Sequence, residues 1–156
     1  MTRNWGLPTK GERTAFRDAK DNKPLLTLLI SAVFGVIGAA VAVMSFAEAR
    51  VVIANLFHGG TLIVAIVAAG FGCWAYIWLA RPRFAAHFSG QGDPFSNLIR
   101  FYARAAVLLF VLLFVGQSID LIAPNMLSVL LLCISGGAGA AAAFQTVLAF
   151  VPYYEE

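Results

Sequence analysis

The stretch SGGAGAAAA, residues 135–143, is the part of the sequence that most constrains the fold. It lies within an uncharged apolar run from Met126 to Val151, and it contains no side chain larger than that of serine. A helix made of such residues has thin faces, which let neighbouring helix backbones approach closely inside a membrane. We therefore expect this helix to lie at the centre of a bundle or at a seam between subunits.

The chain as a whole is too apolar for a water-soluble domain. It has 156 residues, of which 60% are hydrophobic and 12% are charged, and its mean hydropathy is +0.81. About 20 apolar residues carry a helix across a hydrocarbon layer of ~30 Å. Four segments reach or approach that length, so the sequence predicts an all-α polytopic membrane protein. Its four transmembrane helices are predicted to form a bundle, with spans at about 25–46, 60–80, 102–122 and 126–150.

The distribution of positive charge predicts the orientation. Lysine and arginine in short loops are retained on the cytoplasmic side of a membrane. Ten of the 11 lysines and arginines lie in residues 1–23 and 81–104, and Arg50 lies on the other side. We therefore predict a basic cytoplasmic tail at 1–23, a cytoplasmic loop at 81–100 and a cytoplasmic C-terminal tail at 152–156. The alanine-rich, short-looped layout without a signal peptide is typical of a multi-pass prokaryotic protein of the cell inner membrane.

Residues 1–23 contain the pattern of a short surface helix. The segment from Thr9 to Glu12 has the spacing of a capping box, and apolar and basic residues are interspersed after it. Such a helix suits an anionic lipid surface, and a plain solvated tail is the open alternative. Nucleic-acid binding would require a denser basic patch with interleaved aromatic residues, so we expect none. The residues predicted to contact the lipid surface are Arg13, Arg17, Lys20 and Lys23.

Prolines and aromatic residues mark the predicted ends of the spans. Pro24 opens the first span at a position where a missing backbone donor costs nothing. Asp93-Pro94 can start a helix within the loop, and Ala123-Pro124-Asn125 form a tight turn into the fourth span. The aromatic residues that we interpret as a belt at the inner interface, rather than as a stacking site, are Trp74, Tyr76, Trp78, Tyr102, Tyr153 and Tyr154.

Polar side chains collect in the predicted outer layer. The segment 47–58 is apolar but interrupted by polar residues, and it is too short to cross the membrane again, so we predict an outer interfacial segment. An acid near the membrane is costly unless it is paired or wetted. Three roles are therefore open for Asp120, namely an ion pair with Arg50, simple solvation, and an ion or proton site. The predicted outer polar cluster is Glu48, Arg50, His58, Gln117 and Asp120.

Small residues recur four positions apart on the first and fourth spans. Close backbone approach through such residues drives helix association in membranes, where burying leucine against another helix gains little. The third span is the opposite case, because VLLFVLLFV at 107–115 has bulky side chains on all sides. The residues predicted to have helix-packing or interface roles are Gly35, Gly38, Ala39, Ala42, Gly136, Gly137, Gly139, Ala140 and Ala143.

The sequence contains no pattern typical of an enzyme or a cofactor site. The two histidines, His58 and His87, are predicted on opposite sides of the membrane and so cannot ligate one metal or haem. Cys73 and Cys133 are predicted at different depths, too far apart for a disulfide. The motifs CxxC, HExxH and GxSxG do not occur. We therefore expect no catalytic residues, no metal site and no cofactor.

These features favour a non-catalytic integral membrane subunit of a larger membrane assembly, an accessory or scaffold component in transport or secretion. The expected partners are membrane lipids and other membrane protein subunits, or further copies of this chain. The alternative is a homo-oligomeric pore or small-solute channel lined by the Gly/Ala-rich fourth span, with Gln117 and Asp120 at its outer mouth. A secondary transporter that uses Asp120 is the weakest hypothesis, because that acid is not predicted at the midplane.

Overall fold

The computed structural model describes residues 23–56, 59–88 and 94–150. All regular secondary structure in these ranges is α-helical, and four helices follow one another along the chain. They are α1 (Pro24–Leu56), α2 (Gly59–Phe88), α3 (Pro94–Ile122) and α4 (Met126–Phe150). The predicted surface helix of the tail with Arg13, Arg17 and Lys20 lies outside the described residues, as do His58 and the segment 152–156.

Each of these four helices contains a stretch that is long and apolar enough to cross a membrane. The stretches are Pro24–Leu56, Gly60–Trp78, Leu98–Ile122 and Met126–Val147. By the length and composition of its helices the chain is therefore a multi-pass, all-helical membrane protein, which confirms the fold class predicted from the sequence at this level.

Three of the helix starts follow from local chemistry. α1 begins at Pro24 and α3 at Pro94, where proline's missing N–H costs nothing and its fixed φ suits the first turn. Asn125 caps α4, because its Oδ1 accepts the backbone N–H groups of Leu127 and Ser128 at 2.9 and 3.1 Å. The Ser128 hydroxyl donates back to the Asn125 carbonyl at 2.8 Å. These bonds satisfy donors that the first turn of a helix leaves unpaired, so the predicted tight turn between α3 and α4 is confirmed.

α1 differs from the prediction in its length. Its 33 residues form one helix that continues through 47–56, where the sequence predicts a separate interfacial segment. At 1.5 Å per residue α1 is ~50 Å long, well beyond a hydrocarbon layer of ~30 Å. The segment 47–56 contains no glycine or proline, and its charged residues are good helix formers. The polar residues after Phe46 therefore end the apolar run of α1, but the helix itself continues to Leu56.

The predicted loop at 81–100 is also largely helical. α2 continues past Pro82 to Phe88, and α3 begins about two turns before the predicted start of the third span at residue 102. Arginine and alanine support helices as well as leucine does. The apolar run of α2 therefore ends at the charged residue Arg81, but the helix continues beyond it. The bounds of α4 agree with the predicted span at 126–150.

α4 is the central helix of the bundle. It packs most extensively against α1, then against α2 and α3, whereas α1 and α2 hardly touch each other. In its most apolar stretch 61% of the residues are buried, against 17% in α3. The sequence allows the glycine-rich segment to lie either at the centre of a bundle or at a seam between subunits. Within this chain it lies at the centre.

Candidate functional site

The close contact between α1 and α4 is centred on two glycines. A Cβ atom added to Gly38 would lie 2.8 Å from the carbonyl oxygen of Gly139, and one added to Gly139 would lie 2.7 Å from the carbonyl oxygen of Gly38. Ordinary side chains do not tolerate such distances, so only glycine lets the two backbones approach this closely. Ala42, one turn further along α1, is also buried.

A second close contact joins α2 to α4. A Cβ atom added to Gly72 would overlap the carbonyl of Ile134, and one added to Gly137 would overlap the carbonyl of Ala69. The arrangement is reciprocal, since each glycine faces a backbone carbonyl of the other helix. The glycine-rich segment of α4 is therefore enclosed by α1 on one side and α2 on another.

The remaining predicted packing residues divide into two groups. Gly35 lies against the side chain of Thr146, and Gly136 lies against the ring of Phe46. The backbone of Ala143 lies next to Gly38. Two of the predicted residues instead face outward on their helices, namely Ala39 and Ala140. The small-residue pattern therefore includes both internal contacts and parts of the outer surface.

The structure brings two residues of the predicted outer polar cluster together. Gln117 Nε2 donates a hydrogen bond of 2.5 Å to Glu48 Oε1, which links α3 to α1. Asp120, one turn further along α3, has a buried Oδ1 without a hydrogen-bond partner. Within the described part of the chain no ion pair joins Asp120 to Arg50, and Arg50 lies on the exposed side of α1. The ion-pair interpretation of Asp120 is therefore not supported.

The bond between Glu48 and Gln117 lies within the bundle rather than at its end. Next to it on α1, Ser45 Oγ donates to Ser135 Oγ at 3.2 Å, and Phe46 packs against Gly136. This register places Glu48 roughly 10 Å along α4 from the start of that helix. An acid at such a depth is costly in a membrane unless its oxygens are hydrogen-bonded, and the Gln117 amide supplies one of the donors.

A second polar layer lies toward the end of the bundle that is opposite the 123–125 turn. The hydroxyl groups of Ser31 on α1 and Tyr102 on α3 are 3.1 Å apart and buried. The ring of Tyr102 stacks on Phe34 with a centroid distance of 4.5 Å. Tyr76 on α2 is buried as well, and its hydroxyl has no hydrogen-bond partner. We call Ser31, Tyr76 and Tyr102 the hydroxyl cluster.

The hydroxyl cluster corrects the interpretation of the aromatic residues. Trp74 and Trp78 are exposed on α2, as residues of an aromatic belt are, and their rings also stack on each other. Tyr76 and Tyr102, however, are buried between helices, and Tyr102 takes part in ring stacking. The missed signal is spacing, because Tyr76 follows Ala65, Ala68 and Gly72 at helical intervals and so shares their inward face.

Groups that could bind a metal or form a disulfide are scarce in the described ranges. No set of three or more histidine, cysteine, aspartate or glutamate residues within residues 23–56, 59–88 and 94–150 is arranged to hold a metal ion. Cys73 and Cys133 are free thiols.

Lys23, the last residue of the predicted lipid-contacting set, is exposed just before α1, and its carbonyl accepts the Thr27 N–H at 3.0 Å.

No family model matches the chain, and neither the curated proteins nor the solved structures include a significant match.

Proposed function

We propose that the chain is a non-catalytic integral membrane subunit of a larger membrane assembly, an accessory or scaffold component in transport or secretion. We further propose that it contacts its partners through the exposed face of α1. The observation that carries this proposal is the composition of that face compared with the exposed face of α3.

One row of the exposed face of α1 alternates valine with alanine along more than half of the helix, and Met44, Phe46 and Arg50 lie exposed beside it. All six side chains of this ridge point away from the bundle. The ridge consists of Val36, Ala40, Val43, Ala47, Val51 and Ala54. Alanines on such a row let another helix approach closely in a membrane, and the valines between them are smaller than leucine or phenylalanine. We call this surface the Ala/Val ridge.

The exposed face of α3 is bulkier and has no such row of alanines. Its exposed side chains include Leu108, Phe110 and Phe114, all about half or more exposed, together with Val107, Val111 and Val115. Large apolar side chains suit lipid acyl chains and offer another helix no thin surface. The contrast between the two faces supports a protein partner at α1 and lipid at α3.

The alternative of a homo-oligomeric pore has less support. A pore lined by α4 would require its glycine-rich face to meet water, but Gly137 and Gly139 lie against the backbones of α2 and α1. Opening this face would separate both contacts. Solute flux into liposomes tests the alternative, since a pore predicts leakage that Gly137→Phe abolishes and a subunit without a pore predicts no leakage.

The proposed contact can be tested with a matched pair of substitutions in the full chain. Ala47→Leu places a bulky side chain on the Ala/Val ridge, and Ala103→Leu places the same side chain on the exposed side of α3. The proteins are expressed in the native membrane, extracted in mild detergent and sized by light scattering. We expect the unaltered chain to run as a complex larger than one copy, Ala47→Leu to dissociate it and Ala103→Leu to leave it intact. A lone monomer without a co-purifying protein would contradict the proposal.

We also propose that both termini face the cytoplasm and that the membrane is the inner membrane of a prokaryotic cell. The support is the concentration of lysine and arginine in residues 1–23 and 81–104, together with the even number of candidate spans in the described residues. Reporter domains fused to each end test this arrangement. Both should report from the cytoplasm, and opposite compartments for the two ends would overturn it.

A further inference from the structure

The hydroxyl of Tyr76 is an unusual group in this bundle. The Tyr76 side chain is only 7% exposed, and its hydroxyl is buried without a hydrogen-bond partner. The phenol of Tyr102 lies nearby, but no hydrogen bond joins it to Tyr76, and the Tyr102 hydroxyl oxygen lies 3.1 Å from Ser31 Oγ. Native proteins rarely leave a buried phenol unpaired, because the O–H group loses its bond to water and gains nothing in return.

We propose that the Tyr76 hydroxyl donates a hydrogen bond to an uncharged acceptor oxygen that is held between α2 and the Ser31–Tyr102 pair. This oxygen belongs either to a water molecule or to the ester carbonyl of a membrane lipid. The two sources share one chemistry, a neutral oxygen that accepts a single O–H bond. The inference does not depend on the proposed role as a subunit.

The surroundings of the hydroxyl cluster favour an uncharged group. The rings of Phe34 and Phe101 lie against Tyr102, and Leu98, one turn before Tyr102 on α3, is fully buried. Arg100 and Arg104 lie on the exposed side of α3. Burying an anion among apolar rings and neutral hydroxyls would be strongly unfavourable, whereas a neutral oxygen satisfies the phenol without bringing a charge.

The depth of Tyr76 fits both sources of the oxygen. Tyr76 lies two residues before Trp78, the last residue of the apolar stretch of α2. Exposed tryptophans such as Trp74 and Trp78 mark the level of the lipid headgroups and ester groups. Water and ester carbonyls are both abundant at this level. A bridging oxygen here would also connect α2 to α1, two helices that otherwise hardly touch.

Reversible unfolding of the full chain tests the proposal with Tyr76→Phe, which removes only the hydroxyl. Tyr102→Phe is the control, because it removes a hydroxyl whose partner is visible in the structure. If the Tyr76 hydroxyl is bonded, its loss should raise the unfolding equilibrium constant roughly fivefold, as expected for one ordinary hydrogen bond. The Tyr102→Phe variant should show a rise of similar size.

Three environments separate the two sources of the oxygen. The variants are compared in maltoside detergent, in bilayers of ester-linked lipid and in bilayers of ether-linked lipid. An effect of Tyr76→Phe in all three identifies water, and an effect only with ester-linked lipid identifies the lipid carbonyl. If Tyr76→Phe is neutral or stabilising in every environment, the hydroxyl has no acceptor and the proposal is overturned.

Discussion

α3 and α4 are similarly hydrophobic, yet they occupy opposite positions in the fold. Their most apolar stretches have mean hydropathies of 2.3 and 2.0, but 17% of the first and 61% of the second is buried inside the protein. In water the more apolar helix would be expected in the core. In a membrane the surrounding lipid is apolar too, so side-chain size decides which helix other helices can approach.

The largest effect is predicted for a substitution that removes the thin surface of α4 at the centre of the bundle. Gly137→Leu puts a branched side chain where even a Cβ atom would overlap the Ala69 carbonyl. We expect a loss of about 3 kcal/mol or more in the free energy of unfolding, because two backbones must separate to admit it. Titration with a denaturing detergent, followed by circular dichroism, measures the loss.

Gly70→Leu is the matched control for that substitution. Gly70 is a helical glycine on α2 with nothing within 4 Å of an added Cβ atom. The same change there should be neutral or slightly stabilising, since leucine favours the helix more than glycine does. Equal losses at Gly70 and Gly137 would show that the glycine effect is not one of close packing between helices.

A smaller effect is expected at the contact between α1 and α4. Gly38→Ala adds a single Cβ atom at 2.8 Å from the Gly139 carbonyl oxygen. Because the contact is with backbone atoms of α4, the two helices must move apart to admit the Cβ atom, so we expect a loss of roughly 1–3 kcal/mol in the free energy of unfolding. The same detergent titration measures it, with Gly70→Ala as the control, because nothing lies within 4 Å of a Cβ atom added there. A loss at Gly70 as large as that at Gly38 would show that close packing between helices is not the cause.

The sequence predicts which helix is central because the decisive property is composition. Residues 135–143 hold only glycine, alanine and serine, and no other segment of the chain is as thin. The turn between α3 and α4 is equally local, since Asn125 and Ser128 cap the helix that they begin. Features that depend on a few neighbouring residues can be predicted in this way.

The polar contacts are less predictable, because they depend on register between helices. Glu48 and Gln117 are 69 positions apart, and their bond requires α1 to continue unbroken beyond Phe46. The burial of Tyr76 is difficult to predict from the sequence for another reason. Nearly every residue around it is apolar, so hydropathy does not distinguish the inward side of the helix from the lipid-facing side.

The bond between Glu48 and Gln117 provides the next prediction, which tests whether polar contacts matter less than close packing. Gln117→Leu leaves the Glu48 carboxylate without the amide donor, and we expect a loss of about 1 kcal/mol in the free energy of unfolding. The double variant Glu48→Leu with Gln117→Leu should recover much of it, because neither polar group then remains unpaired. A double variant that loses the sum of both single effects would show that the two side chains do not interact.

The smallest effect is predicted on the lipid-facing side of α3. Val111 is about half exposed, and Val111→Leu enlarges a side chain that meets only acyl chains. We expect a change within about 0.5 kcal/mol in the free energy of unfolding, because a surface substitution away from any contact seldom does more. Unfolding in the same detergent series measures it. A loss comparable to that of Gly38→Ala would mean that another helix covers Val111, and the contrast between the exposed faces of α1 and α3 would then no longer separate a protein contact from a lipid contact.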